Sequence, residues 1–374
     1  MSRESESSPD SNHIAFYLPS LRGGGAERVL VNLANEFANR GYSVDIVLVQ
    51  ARGEYLSEVL DEVNIVDLDT MRFFGALPQL VTYLKRESPD ALLATIDTAN
   101  IVAICAKRIS GVSTRVVIRI SNMLSTKEAN GELKHRLVHR LARFVYPYAD
   151  AAVAVSDGVA DDLLTMTNLS PEQITTIYNP SVTEELLRKR TESVDHPFFT
   201  EEGNIPIVLG VGELSEQKNF ETLIGAFDRI TEERSARLVI LGEGPRRDEL
   251  ELLIEELHLS DSVSMPGFVD NPYAYMSRSD VFVLSSQWEG CPNVLIEALA
   301  CNVPIVSTDC PSGPEEILEG GKWGSLVGIE NYEKMAKSII EALDKQESID
   351  TEQYARSQFS VEEVANEYQN LLEK

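Results

Sequence analysis

Glu289 and Glu297 stand eight positions apart in the segment Glu289-Gly-Cys-Pro-Asn-Val-Leu-Ile-Glu297, on either side of a proline that opens a helical pattern. Pro292 suits a first helical position, because its missing N–H would lack an intrahelical partner there in any case. Glu289 is then expected in the preceding loop and Glu297 just over one turn inside the helix. Between them the free N–H groups of Asn293, Val294 and Leu295 face outward at the positive end of the helix dipole, an arrangement suited to phosphate. Carboxylates beside a diphosphate would be repelled by it, so both are expected to accept hydrogen bonds from sugar hydroxyls. The ligand that fits such a layout is a nucleotide sugar. The same spacing also fits an amphipathic helix with two solvated glutamates, and the surrounding segments are what favour the ligand.

Three of those segments are loops that each follow an apolar run. Gly210-Val-Gly-Glu-Leu-Ser-Glu-Gln-Lys218 follows Ile205 to Gly210 and places Lys218 and Gly212 in a strand-to-helix connection. Leu241-Gly-Glu-Gly-Pro245 repeats the arrangement, with Gly242 and Gly244 expected to let a ligand come close to the backbone. The third, Asp309 to Ile317, follows Pro304 to Thr308. With the Glu289 loop, these four line one crevice at the carboxyl ends of successive strands.

These residues resemble the retaining glycosyltransferases of family 4, which have the two-domain GT-B fold. The resemblance spans nearly the whole chain: Gly23-Gly-Gly-Ala-Glu-Arg-Val29, Ser156-Asp-Gly158, Tyr178-Asn-Pro180, Gln217-Lys-Asn-Phe220, Gly242-Glu-Gly-Pro245 and the Glu289 to Glu297 signature, in that order. It implies two Rossmann-like domains, α/β with parallel sheets, facing an interdomain cleft. It also implies that Glu289 looks to the donor sugar, Glu297 to the ribose and Lys218 to the diphosphate. The reaction implied is transfer from a nucleotide diphosphate sugar to an acceptor hydroxyl with retention of configuration. In the family's usual account the departing phosphate accepts the acceptor's proton, so no side-chain nucleophile and no metal or other cofactor are expected. A sugar-nucleotide epimerase on the same scaffold, or a non-catalytic nucleotide-sugar-binding module, are the alternatives.

Two departures stand out. Family members commonly have Gly-Arg-Leu before the lysine, whereas this chain has Gly212-Glu-Leu214, and a glutamate cannot neutralise a diphosphate. Arg22, Arg28 and Arg119 are candidates for the missing cation. The segment Arg119-Ile-Ser-Asn122 lacks the histidine of many relatives, which leaves the acceptor contact open. The acceptor and cleft residues expected from the first half are Gly24, Gly25, Glu27, Arg119 and Asn122. Glycines 23 to 25 open a helix from Ala26, and they fit a tight turn as well as a bare backbone at the cleft. They do not form a G-x-G-x-x-G dinucleotide fingerprint.

The chain has 374 residues, enough for two domains, and 43% are hydrophobic. Its net charge of −27 makes nucleic acid an unsuitable partner, since phosphate backbones would be repelled. The 33 basic residues contain twice as many Arg as Lys. An acidic, lysine-poor surface fits a salt-rich cytosol, where a screening length of about 3 Å at 1 M salt tolerates self-repulsion. Cys105, Cys291, Cys301 and Cys310 have neither paired nor metal-ligand spacing and read as reduced, packed thiols. No run approaches the ~18 apolar residues of a membrane span and no signal peptide opens the chain, so a cytoplasmic protein is expected.

Both halves alternate apolar runs with helical patterns, the signature of parallel sheets wrapped by helices. Strands are expected at His13–Leu18, Ser43–Val49, Asn64–Leu68, Ala91–Thr95, Arg115–Ile120 and Ala151–Val155, then at Ile207–Val211, Arg237–Leu241, Ser262–Met265, Asp280–Leu284 and Pro304–Ser307. Helical periodicity marks Ala26–Asn39, Phe74–Arg86 and Leu133–Tyr146. The pattern divides into a disordered tail over 1–12, a first domain over 13–192, a linker over 193–206 and a second domain over 207–356; the resemblance implies that the first binds the acceptor, the second the nucleotide sugar, and that a helix in 357–374 crosses back to the first. Within 133–146, Leu133, Leu137, Leu141 and Phe144 recur at helical spacing among Lys134, Arg136, Arg140 and Arg143. Such a helix either packs its stripe on the first domain or docks on a membrane carrying a lipid-linked acceptor.

Overall fold

The structure, a computed structural model, describes residues 12–70, 73–126, 133–200, 205–344 and 350–374. The expected disordered tail lies, but for its last residue, outside the described residues, as do the side chains of 73–74 and 133–136. Two compact units emerge. The first comprises residues 1–180 with 361–374, and the second residues 181–360.

The first unit is built on seven strands: β1 His13–Leu18, β2 Ser43–Leu48, β3 Asn64–Asp67, β4 Ala91–Thr95, β5 Arg115–Ile120, β6 Ala151–Ala154 and β7 Ile174–Thr176, in the order β3-β2-β1-β4-β5-β6-β7. All pairings are parallel. A parallel sheet is covered on both faces, so its central strands need apolar residues at nearly every position, and β1, β2, β4 and β5 are buried along almost their whole length. Helix Gly25–Asn39 packs Leu30, Leu33 and Phe37 on Phe16, Leu18 and Ile46. The last helix, Val361–Leu372, adds Val364, Ala365, Tyr368, Leu371 and Leu372 to that same core. Arg40 holds it further, donating to the Glu362 carbonyl and to Asn366 Oδ1, each at 2.8 Å.

The second unit has six parallel strands: β8 Ile207–Val211, β9 Arg237–Leu241, β10 Val263–Gly267, β11 Val281–Leu284, β12 Ile305–Thr308 and β13 Ser325–Val327, in the order β10-β9-β8-β11-β12-β13. Its core joins Val208, Leu238, Ile240, Val283 and Val306 to Leu223, Ile224, Phe227 and Ile230 of helix Phe220–Glu233. Each sheet reverses its strand order once, between β1 and β4 and between β8 and β11. At such a switch point adjacent crossovers leave in opposite directions, and the carboxyl ends of the strands open a crevice.

Three expectations need correction. The boundary expected over 193–206 lies inside the second unit, because residues from 181 onward are already tied to it. Val182 bridges Ser360, Ser277 Oγ donates to the Arg190 carbonyl at 2.5 Å, and His196 Nε2 meets Ser264 Oγ at 3.0 Å. Strands β7 and β13 were not expected, each having only three residues. The apolar stripe of helix Leu133–Val145 does not pack on the first unit. That helix buries His139 and Ala142 instead, followed by Tyr146, while Leu137, Leu141 and Phe144 are exposed.

Candidate active site

The switch point of the second unit brings together the loops after β8 and β11. They are joined backbone to backbone and by side chains: Gln287 N–H donates to the Gln217 carbonyl at 2.8 Å, Ser285 Oγ to the Lys218 carbonyl at 2.7 Å, and Gln217 Nε2 to the Trp288 carbonyl at 3.0 Å. Asn219 then turns the chain into helix Phe220–Glu233 at φ +47°, a left-handed conformation that Asn tolerates better than most residues.

This stitching sets Lys218 Nζ 2.6 Å from Glu289 Oε1. Glu289 is buried, and a buried carboxylate is costly unless every lone pair it turns inward is met. Ser286 Oγ donates to the same oxygen at 2.7 Å, and Gln217 Nε2 reaches Oε2 at 3.3 Å. Ser286 is fixed in turn, its carbonyl accepting from Thr308 Oγ1 at 2.6 Å. The third loop leans on this one. Gly313 has φ +96°, and a Cβ there would stand 2.7 Å from Pro292 Cδ.

The helix start differs from expectation. Pro292 is the N-cap, with extended φ −71° and ψ 103°, and the helix runs Asn293–Ala300. The Leu295 N–H donates to the Pro292 carbonyl at 3.0 Å, so it is used inside the first turn and does not face a ligand. Asn293 Oδ1 accepts from Ser181 Oγ at 3.1 Å, and Val294 follows it in the same turn. Glu297 is buried in the next turn. Burial, with the charge of Glu297, pushes the Cys301 thiol up to about 12, and burial with the charge of Glu289 does the same to Cys310.

Gly242 and Gly244 face the neighbouring loop. Gly242 has φ +135°, and a Cβ there would lie 2.0 Å from the Gly212 carbonyl oxygen; at Gly244 it would lie 2.4 Å from that of Leu214. What comes close to their backbone is thus the chain itself, and the Lys218 stem lies over Gly212. Glu213, in the place of the expected arginine, is exposed.

The residues expected from the first half lie in the first unit. Gly24 caps helix Gly25–Asn39, and a Cβ on it would meet the Glu27 carboxylate at 2.3 Å, so the missing side chain makes room for Glu27. Burial raises the pKa of Glu27, against the pull of the Arg119 charge. Arg119 ends up enclosed, 1% exposed, donating to Thr95 Oγ1 and Asn179 Oδ1. It lies within β5, where both faces of the sheet are covered, so it supports the loop ends rather than offering its guanidinium at the surface. Asn122 Oδ1 accepts from the Met123 N–H. Arg28 lies over the Tyr55 ring at 5.9 Å, and Arg22 is exposed.

The comparisons decide the family. The family model described as glycosyl transferases group 1 matches residues 193–358, and that described as glycosyltransferase family 4 matches residues 23–185. A Campylobacter jejuni protein named N-acetylgalactosamine-N,N'-diacetylbacillosaminyl-diphospho-undecaprenol 4-alpha-N-acetylgalactosaminyltransferase is 30% identical over 342 residues, 88% of this chain and 90% of its own. The chain is a group 1 glycosyltransferase of the family 4 type. A second Campylobacter jejuni relative of this glycosyltransferase, named GalNAc-alpha-(1->4)-GalNAc-alpha-(1->3)-diNAcBac-PP-undecaprenol alpha-1,4-N-acetyl-D-galactosaminyltransferase, is 28% identical over 96% of this chain and 98% of its own. In fold, the glycosyltransferase matches Anabaena HepE, solved with UDP and glucose, at a TM-score of 0.77 and 19% identity over 96% of this chain and 99% of that one. The fold is GT-B.

Sequence reasoning took Lys218 and Glu289 from their motifs but missed what holds them in place: Gln217, Ser285, Ser286 and Thr308. Gln217 stands beside Lys218 in the segment Gln217-Lys-Asn-Phe220. The Ser285-Ser286 pair directly follows the β11 apolar run, and two hydroxyls at the carboxyl end of a central strand are the signal that could have found them.

Proposed function

We propose that this glycosyltransferase moves a hexosyl or N-acetylhexosaminyl group from a nucleoside diphosphate sugar to a hydroxyl of a lipid-diphosphate-linked glycan, at the cytoplasmic side of the membrane. The reaction retains the anomeric configuration and needs no metal ion. The observation that carries this reading is the Lys218–Glu289 pair on the two loops of the switch point, beside the first turn of helix Asn293–Ala300. A diphosphate at that turn meets the positive helix end and the Lys218 ammonium, which together supply the charge a divalent ion supplies elsewhere. Glu289 then offers its oxygens to the sugar's hydroxyls, and Glu297 to the ribose.

As the bond from the anomeric carbon to the diphosphate breaks, negative charge grows on the departing oxygen. Lys218 and the helix terminus stabilise that charge more in the transition state than in the bound substrate, which is what accelerates the step. The acceptor hydroxyl arrives on the face the diphosphate leaves, gives its proton to the departing phosphate oxygen, and bonds to the anomeric carbon from that same side. The acceptor class is supported by the undecaprenol diphosphate substrates in the names of both Campylobacter relatives, and the donor class by the UDP bound to HepE.

Incubation with labelled UDP-, GDP- and ADP-sugars and a lipid-diphosphate glycan tests it. Transfer with the donor's anomeric configuration is expected. Isomerised free sugar without transfer would make the protein an epimerase, and the absence of turnover with every donor would make it a binding module.

A further inference from the structure

Helix Leu133–Val145 sits on helix Asp97–Ser110 through a polar inner face. His139 and Ala142 are buried there, and His139 Nε2 lies 3.6 Å from Asp97 Oδ2. The opposite face carries Leu137 at 69% exposure, Leu141 at 39% and Phe144 at 64%, spaced so that all three point the same way. Tyr148, 54% exposed, follows just beyond, with the Arg108 guanidinium 4.1 Å from its ring centre. Neighbouring Ile109 is exposed as well. Single exposed apolar residues are ordinary, but a row of them on one helix marks an interaction surface.

Charge identifies what that surface takes. The chain holds 60 Asp and Glu among 374 residues, yet none falls between Leu133 and Ala149. Arg140 and Arg143 are exposed beside the stripe, and among the described residues neither pairs with a carboxylate. A second copy docked face to face would bring like charges together. A helix with an apolar ridge and uncompensated arginines along its flank matches instead the boundary between acyl chains and anionic headgroups. Among the described residues no helix is long and apolar enough to cross a membrane, so any such contact is with its surface.

We propose that Leu137, Leu141, Phe144 and Tyr148, with Arg108, Arg140 and Arg143, form a docking surface for an anionic lipid bilayer. The three apolar side chains enter the acyl boundary, the tyrosine lies at the interface, and the guanidinium groups meet lipid phosphates. The inference stands on this face alone and does not depend on which sugar or acceptor the active site takes.

Flotation of the full chain with vesicles of phosphatidylcholine, or of phosphatidylcholine with phosphatidylglycerol, tests it without any turnover. The wild type should float with the anionic vesicles, less so as salt rises. Leu137→Gln with Phe144→Gln, and separately Arg140→Glu with Arg143→Glu, should each lower partitioning at least about tenfold while leaving the melting temperature unchanged. The salt titration needs no variant and so decides the matter even if one fails to fold. Equal partitioning into both vesicle types, no flotation of the wild type, or variants that float like the wild type would each overturn the proposal. So would a wild-type dimer that the Leu137→Gln, Phe144→Gln variant abolishes, in a protein that does not float.

Discussion

Lys218→Ala separates what the site needs for folding from what it needs for chemistry. Among the described residues, Lys218 Nζ is the one cation within hydrogen-bond reach of Glu289, at 2.6 Å. Removing one member of a fully buried ion pair costs about 3–5 kcal/mol. Here Ser286 and Gln217 still donate to Glu289, so the loss of stability should be nearer 1–3 kcal/mol. The catalytic loss is independent of that. A donor aimed at charge that develops in the transition state is worth roughly 10²–10³ in kcat, and kcat should fall by that factor at saturating donor. Glu289→Gln divides the two effects, because a neutral amide needs no cation. The double variant Lys218→Ala, Glu289→Gln should melt closer to wild type than Lys218→Ala alone, yet regain none of the lost kcat. Single-turnover transfer and thermal melts measured on the same preparations give both quantities. A folded Lys218→Ala enzyme with wild-type kcat would refute the role assigned to the lysine.

Transfer should be unaffected by EDTA; activity that disappears on chelation and returns with magnesium or manganese would show that Lys218 and the helix start are not sufficient. Gly242→Ala should destabilise the protein by about 3 kcal/mol or more, since it combines a left-handed φ of +135° with a Cβ 2.0 Å from the Gly212 carbonyl, and an unchanged urea midpoint would contradict that packing. His13 and Asp45 should make stability depend on pH. The hydrogen bond to Asp45 raises His13 above its ordinary 6.5, an effect present in full below that value and lost as pH rises through the folded-state pKa. Burial alone would raise Asp45, but hydrogen bonds from His13, Tyr83 and Asn64 outweigh it and hold the carboxyl below 3.8, so its contribution is present above that value and lost as pH falls. The pair should therefore stabilise most between about pH 4 and 6.5, and His13→Gln should flatten the alkaline side of a melting profile.

Most of the architecture could be read from residue order. Buried parallel strands need near-continuous apolar runs, and β1, β4, β8, β9 and β11 have them, while β2 and β5 are each interrupted inside by one charged residue, Asp45 and Arg119. Ile174–Thr176 and Ser325–Val327 are too short for any period to show. Helix Asp97–Ser110 shows no amphipathic pattern, because it is buried on nearly every side up to Ala106 and its polar Asp97 and Asn100 are among the buried residues. Lys218 and Glu289 were visible as residue types in loops, but the hydrogen bonds that hold them join the loop after β8 to the loop after β11, and that loop to β12, segments far apart in sequence. Gly242 was visible as a glycine, yet only the structure shows that the Gly212 carbonyl fills the space beside it. At helix Leu133–Val145, periodicity revealed an apolar stripe without revealing its direction. The helix turns the other way because His139 and Tyr146 pack inward, toward helix Asp97–Ser110.

The last helix has a consequence for the order in which the chain matures. Val364, Ala365, Tyr368, Leu371 and Leu372 complete a core whose other members all precede residue 181, whereas residues 181–360 form one continuous segment with a core of its own. During synthesis from the amino end, the second unit can therefore close as soon as it emerges. The first must wait, its core still open, until residues 361–372 have been made. Domains generally fold as they appear, earliest first; here the half made first is sealed after the second, and a released chain lacking residues 361–372 would carry a complete second unit and an unsealed first one.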